Sequence, residues 1–158
     1  MVELARTWPR ITAAALAAAF VVVFASAARA RDSRIAQVKT VSGDAALVRG
    51  GARTAARPGD PVYEKDTIET GADGAIGITF IDNTVMSAGP NSEIDLSEYR
   101  FDSSNFNGAM LTDMRKGTVT MVSGDIARSS PGAMKVRTPS AILGVRGTRF
   151  AIEVEGTR

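Results

Sequence analysis

GADGAIGITFIDNTVMSAGPN, residues 71–91, is the stretch that decides the fold. In an extended chain Ile76, Ile78 and Phe80 fall on one face, and Ala75, Gly77, Thr79 and Ile81 fall on the other. Alternation with period two predicts a strand over 75–81 whose first set faces a core. Asp82-Asn83 predicts a tight turn, because short amide and carboxylate side chains bond locally and tolerate unusual backbone angles. Residues 84–87 then return as a second strand, which Gly89-Pro90-Asn91 ends.

The same pattern continues in both directions. Further strands are predicted over 45–49, 67–70, 93–96 (Ile94 and Leu96 inward), 109–113 and 118–122. An alternating run begins at Met134 and Val136, and Pro139 must interrupt it or place it at an edge. Residues 149–155 alternate with Phe150, Ile152 and Val154 on one face. Turns are expected at 41–44, 50–51, 58–61, 115–117 and 123–125, with polar loops over 102–108 and 129–132. No stretch after residue 30 sustains a helical stripe over about twelve residues, and helix is allowed only for the first few residues after Ala30. The expectation is one all-β domain of roughly ten short strands. Its core is aliphatic, with Phe80, Phe101, Phe106 and Phe150 as the bulky pieces. Val-Ser-Gly-Asp occurs at 41–44 and again at 122–125, which predicts that similar turns are used twice.

The N-terminal segment belongs to a different class. Arg6 and Arg10 precede an uncharged run over 11–28, which closes in Ala28-Arg29-Ala30. A basic start, an apolar centre and an Ala-x-Ala site predict a helical secretory signal over 1–30, cut after Ala30. The alternative is an uncleaved inner-membrane anchor, although the run reaches only the low end of the 17–25 or so residues a bilayer needs. Residues 31–40 read as a short leader and 41–158 as the β domain.

Composition removes several chemistries. The chain has no cysteine and no histidine. Thiol chemistry, Cys-zinc sites, lipid modification at a cysteine and the usual His-based catalysis are therefore excluded. No cofactor is expected. Charge runs in blocks. Residues 31–59 carry six basic and two acidic side chains, 60–113 two and eleven, and 114–158 eight and three. Blocks of this kind steer a partner or pair within the fold, and internal pairing is the preferred reading. Beyond residue 30 the two signs balance, which argues against nucleic acid.

VRTPSAILGVRGTRFAIEV at 136–154 and GDPVYEKDTIETGADGAIGITFIDNTVMSAGPNSEIDL at 59–96 together resemble the FecR domain family of bacterial envelope proteins. The likeness runs from about residue 41 to 154. Its sharpest part is Thr138-Pro139 followed by Gly144-Val145-Arg146-Gly147-Thr148. The resemblance implies a wound β fold, roll-like or solenoid-like, with a β-sandwich as the alternative. The family's namesakes are transducers that relay occupancy of an outer-membrane receptor to a sigma factor, through a cytoplasmic segment and one membrane helix. Only about ten residues precede the apolar run here, so a stand-alone domain without the sigma-regulating segment is expected. Relatives continue past Arg-Gly-Thr-x-Phe, so a truncated C-terminus with an exposed last edge is also expected.

The functional expectation is a non-catalytic protein-binding or scaffold domain of the periplasm or cell surface. Its partner is an unidentified envelope protein, with a cell-wall glycan second, and no membrane insertion follows signal cleavage. A calcium site at Asp60, Asp66, Asp73 and Asp82 is the alternative, and a hydrolase using Asp60, Glu64, Asp66 or Asp82 is the weaker one. Lys135, Arg137, Arg146 and Arg149 form a basic patch without the aromatic residues that stack bases. In the motif, Thr138, Pro139, Gly144, Arg146, Gly147 and Thr148 are expected to organise the fold. Arg146 ties acceptors with its planar fork. The rival reading exposes Arg146 or Arg149 to the partner.

Overall fold

The computed structural model describes residues 33–147 and 149–156; the expected signal over 1–30 lies outside them, as does Thr148. Twelve strands follow in order: β1 (Ala36–Ser42), β2 (Ala45–Arg49), β3 (Ala52–Ala55), β4 (Pro61–Val62), β5 (Thr67–Thr70), β6 (Ala75–Phe80), β7 (Val85–Ala88), β8 (Glu93–Asp102), β9 (Asn107–Val122), β10 (Met134–Arg137), β11 (Ile142–Val145) and β12 (Arg149–Val154). One five-residue helix, α1 (Asp125–Ser129), lies between β9 and β10. The all-β expectation holds. The strands form a single curled, half-barrel sheet in the order β3-β2-β5-β8-β9-β7-β6-β1-β4. Pairing is antiparallel except where β10 lies parallel to β9.

Strand β9 divides this sheet into two layers. Up to Lys116 it pairs with β8 and carries β10 on its other side. From Gly117 onward it pairs with β7 and β12. The change of neighbours occurs at Gly117, whose φ of +93° is a conformation glycine adopts without steric cost. A side chain there would begin 2.2 Å from the Ser92 hydroxyl oxygen. That hydroxyl accepts the Thr118 N–H at 3.0 Å, clipping the bend. The turn expected at 115–117 is thus a bend inside one sixteen-residue strand.

The core fills the space between the layers. Ile76, Ile78 and Phe80 are buried, as the alternation predicts, and so are Ile94 and Leu96. The register of β8 slips between Leu96 and Glu98. This bulge lets both Leu96 and Tyr99 point inward. Phe80 then stacks on Tyr99 across the layers, with ring centroids 5.4 Å apart.

Beneath that stack lies a fully buried carboxylate, Asp82. It accepts the Tyr99 hydroxyl at 3.0 Å, the Thr84 hydroxyl at 2.7 Å and the Thr84 N–H at 3.2 Å. The Ile126 N–H, an orphan donor of the first turn of α1, reaches it at 3.4 Å. The Gly124 N–H donates to the Thr84 hydroxyl, and the Asp125 N–H to the Asp82 carbonyl. Burial, and then the Asp82 charge, push the Tyr99 phenol well above its usual range.

Several expectations need correction. Residues 31–40 are not only a leader, because Ile35, Ala36 and Val38 are core residues and β1 begins at Ala36. β3 and β11 were not predicted. Residues 125–129, read as a turn and the start of a loop, are helical. Phe106 is 51% exposed, at the tip of the β8–β9 hairpin with φ +59°, and is no core piece. Phe101 and Phe150 are only partly buried against the core. The two Val-Ser-Gly-Asp copies are not equivalent turns. The first is a hairpin turn with Gly43 at φ +60° against the Asp73 backbone; the second starts α1, with Gly124 packed on the backbone of Asp82 to Thr84. They share only a dependence on glycine for close backbone approach.

Two outcomes follow from this core. Phe80→Ala should lower the unfolding free energy by about 3–5 kcal/mol in a chemical melt; a loss under about 1 kcal/mol would show that Phe80 is not packed as described. A phenol whose folded pKa lies above its unfolded value near 10 binds its proton more tightly when folded. Its stabilising contribution is complete below about pH 10 and is lost as pH rises toward the folded value, at up to about 1.4 kcal/mol per pH unit. Tyr99→Phe should therefore be less stable at neutral pH yet show a shallower alkaline decline; equal slopes above pH 10 would contradict the buried phenol.

Candidate interaction surface

The charge blocks pair within the fold. Arg49 reaches the fully buried Asp66 through two bonds of 2.7 Å, and its guanidinium lies 4.1 Å from the Tyr63 ring centroid. Arg53 binds Asp44 and Glu69; Arg115 binds Glu93 and Asp95; Arg137 binds Asp113 at 3.2 Å. Basic residues from both ends of the domain thus meet the acidic middle, as the internal-pairing reading expects. Most of these bridges are exposed and contribute little each.

The acids proposed for calcium or hydrolysis are dispersed and occupied. Asp60 accepts the Arg57 N–H, Asp66 the Tyr63 N–H and Arg49, Asp73 the Asp44 N–H, and Glu64 the Tyr99 N–H. Asp82 is enclosed by its own network. Among the described residues no group of three or more acids is placed to hold a metal ion.

Of the motif residues, Gly144 lies on β11, Thr138 and Pro139 directly follow β10, and Arg146 and Gly147 directly follow β11. Thr138 N–H donates to the Ala141 carbonyl at 2.8 Å, and the Thr138 hydroxyl accepts the Ala141 N–H at 3.1 Å. Pro139 and Ser140 form the two-residue turn between β10 and β11, so Pro139 stands where a missing donor costs nothing. Gly147 follows β11 with φ +54°. Gly144 lies within β11, and a side chain added there would meet nothing within 4 Å. Gly144, by contrast, is an ordinary strand position.

Arg146 is exposed and has neither hydrogen bond nor ion pair among the described residues. The stapling role expected of it falls instead to Arg49, Arg53, Arg115 and Arg137. Arg149 is exposed at the start of β12 but has a partner. Lys135, on β10, is exposed and unpaired among the described residues like Arg146.

Near these cations two large apolar side chains are exposed. Ile142 is 64% exposed and Leu143 41%. Ile142 borders a shallow depression of about 340 Å³ on the outer face, floored by Ala109, Leu111 and Ala133 and rimmed by Lys135 and Glu98. A neighbouring depression of about 410 Å³ is lined by Arg115, Arg137, Thr138 and Pro139. The arrangement is a strand edge with aliphatic side chains and two uncompensated cations. Sequence reasoning singled out Arg146 and placed Lys135 in a basic patch, but missed Ile142 and Leu143. The absence of a charge from 140–145 was the available signal, since exposed edge strands usually carry one.

A family model described as FecR protein matches residues 66–158. No curated protein and no solved structure matches the chain. The matched region holds the whole of β6–β12, including the Asp82 network and the β11 edge. It starts at the buried Asp66, so the strands β1–β4 that complete the layers lie before it.

Two substitutions separate surface from scaffold. Arg146→Ala should change the unfolding free energy by no more than about 0.5 kcal/mol, as for an exposed residue without partners. Asp66→Ala should cost about 1–3 kcal/mol, because the buried Tyr63 N–H and the Arg49 guanidinium lose their acceptor. A denaturant titration in which Arg146→Ala is the more damaging would return Arg146 to the scaffold.

Proposed function

The chain belongs to the FecR protein family, and from that membership we propose that it is an exported, non-catalytic domain that binds another envelope protein through the β10–β12 face. Such domains are signalling and interaction modules rather than enzymes. The observation that carries the reading is the juxtaposition of exposed Ile142 and Leu143 with unpaired Lys135 and Arg146 at the β10–β11 hairpin. A neutral glycan would leave both cations uncompensated, so a protein partner is favoured over a cell-wall sugar. Export rests on the leader features of residues 1–30. Among the described residues no helix is long and apolar enough to cross a membrane.

Export and binding are tested separately. Protein recovered from the periplasm of its bacterial host should have a mass corresponding to a start at Arg31; a product that keeps Met1 and sediments with membranes would establish the anchor instead. A photocrosslinking amino acid at position 142 should give discrete protein adducts in living cells. The same probe at Thr54, on the opposite exposed edge β3, should give none. Identical adducts at both positions, or none at either, would remove the β10–β12 face as the binding surface.

A further inference from the structure

We propose that the free edge of β11 accepts an extended acidic–apolar segment of a partner protein as an additional strand, a reading that rests on the protein-binding role above. The backbone carries the first part of the argument. Among the described residues β11 pairs only with β10. Thr138 and Ala141 exchange a bond at the hairpin turn, and the register then pairs Val136 with Leu143 and Met134 with Val145. Hydrogen-bonded and non-bonded pairs alternate along an antiparallel ladder. Ile142 and Gly144 therefore turn their N–H and C=O groups away from β10, toward the open edge. These groups are a ready template for another strand.

Two other edges carry charge. β3 carries Arg53, which is ion-paired to Asp44 and Glu69. β12 carries Arg149 and Glu153 on its exposed positions. β11 carries no charge, and its glycine removes the only side chain that would stand between an incoming backbone and the outer face. Gly144 lies directly opposite Lys135 in the register. The lysine is thus open to approach over the bare glycine, and the exposed Arg146 directly follows the last residue of β11.

Charge decides the occupant. A segment that alternates carboxylates with aliphatic residues would place its acids toward Lys135 and Arg146 and its apolar side chains beside Ile142. A second copy of this chain pairing β11 with β11 would bring two more unpaired cations and no carboxylate on that strand. Acidic strand addition is therefore favoured over self-association.

The test uses the exported protein and three eight-residue peptides. One alternates Val and Glu, one alternates Val and Lys, and one is the Val–Glu peptide N-methylated on alternate amides. By fluorescence anisotropy the Val–Glu peptide should bind at least about tenfold more tightly than the other two, and more weakly in high salt. The double variant Lys135→Glu, Arg146→Glu should reverse the preference between Glu and Lys peptides. Gly144→Pro removes only an outward donor and should weaken binding at least about tenfold without shifting the melt. Should that variant unfold, Ile142→Lys, which guards the edge with a charge, serves in its place. Equal binding of all three peptides, no binding of any, or insensitivity to N-methylation would overturn the proposal. Concentration-dependent dimers abolished by Gly144→Pro would overturn it in favour of self-pairing. If the peptides fail while position 142 still crosslinks in cells, the binding face survives and only strand addition falls.

Discussion

Everything in this domain depends on β9 bending without breaking. One strand serves both layers, and four others pair with it: β8 and β10 before Gly117, β7 and β12 after it. Only a residue without Cβ can hold φ +93° with the Ser92 side chain and main chain packed against its Cα. The Ser92 hydroxyl occupies the space and bonds the Thr118 N–H and C=O beside the bend. A straight β9 would leave one layer without its centre. The curl of the sheet, the enclosed core and the outward aim of β10 and β11 are consequences of this bend.

The second constraint is the burial of two aspartates with their partners. Asp82 gathers Tyr99, Thr84 and the start of α1, joining three segments far apart in sequence. Asp66 does the same for Arg49 and the Tyr63 backbone. A buried carboxylate is tolerated only when its oxygens are satisfied, and both are. These acids are therefore committed to structure, as are Arg53, Arg115 and Arg137 on the surface. At the C-terminal edge Ile142 and Leu143 are exposed, and Lys135 and Arg146 carry no such commitment.

Residues within the motif also differ in this respect. Thr138, Pro139 and Gly147 shape turns at either end of β11, whereas Gly144 and Arg146 impose nothing on the fold around them. A guanidinium is equally suited to stapling and to binding, so residue type alone does not assign Arg146 to either role.

The sequence by itself determined the fold class, the β6–β7 hairpin, the inward set Ile76, Ile78 and Phe80, and the pairing of basic ends with an acidic middle. These are local or compositional properties. Period-two alternation sets which face is buried, and opposite charges in excess find each other once the chain is compact. Tertiary structure alone decided that 115–117 is a bend within a strand rather than a turn, that Phe106 lies outside the core, and that β1 begins before residue 40. It also decided which arginines are paired. Whether a guanidinium meets a carboxylate depends on strand order and register, which join residues such as Arg49 and Asp66 across 17 positions. The same holds for the exposed edge. Ile142 and Leu143 are ordinary core residues by composition, and only the absence of a further neighbour beside β11 among the described residues turns them outward.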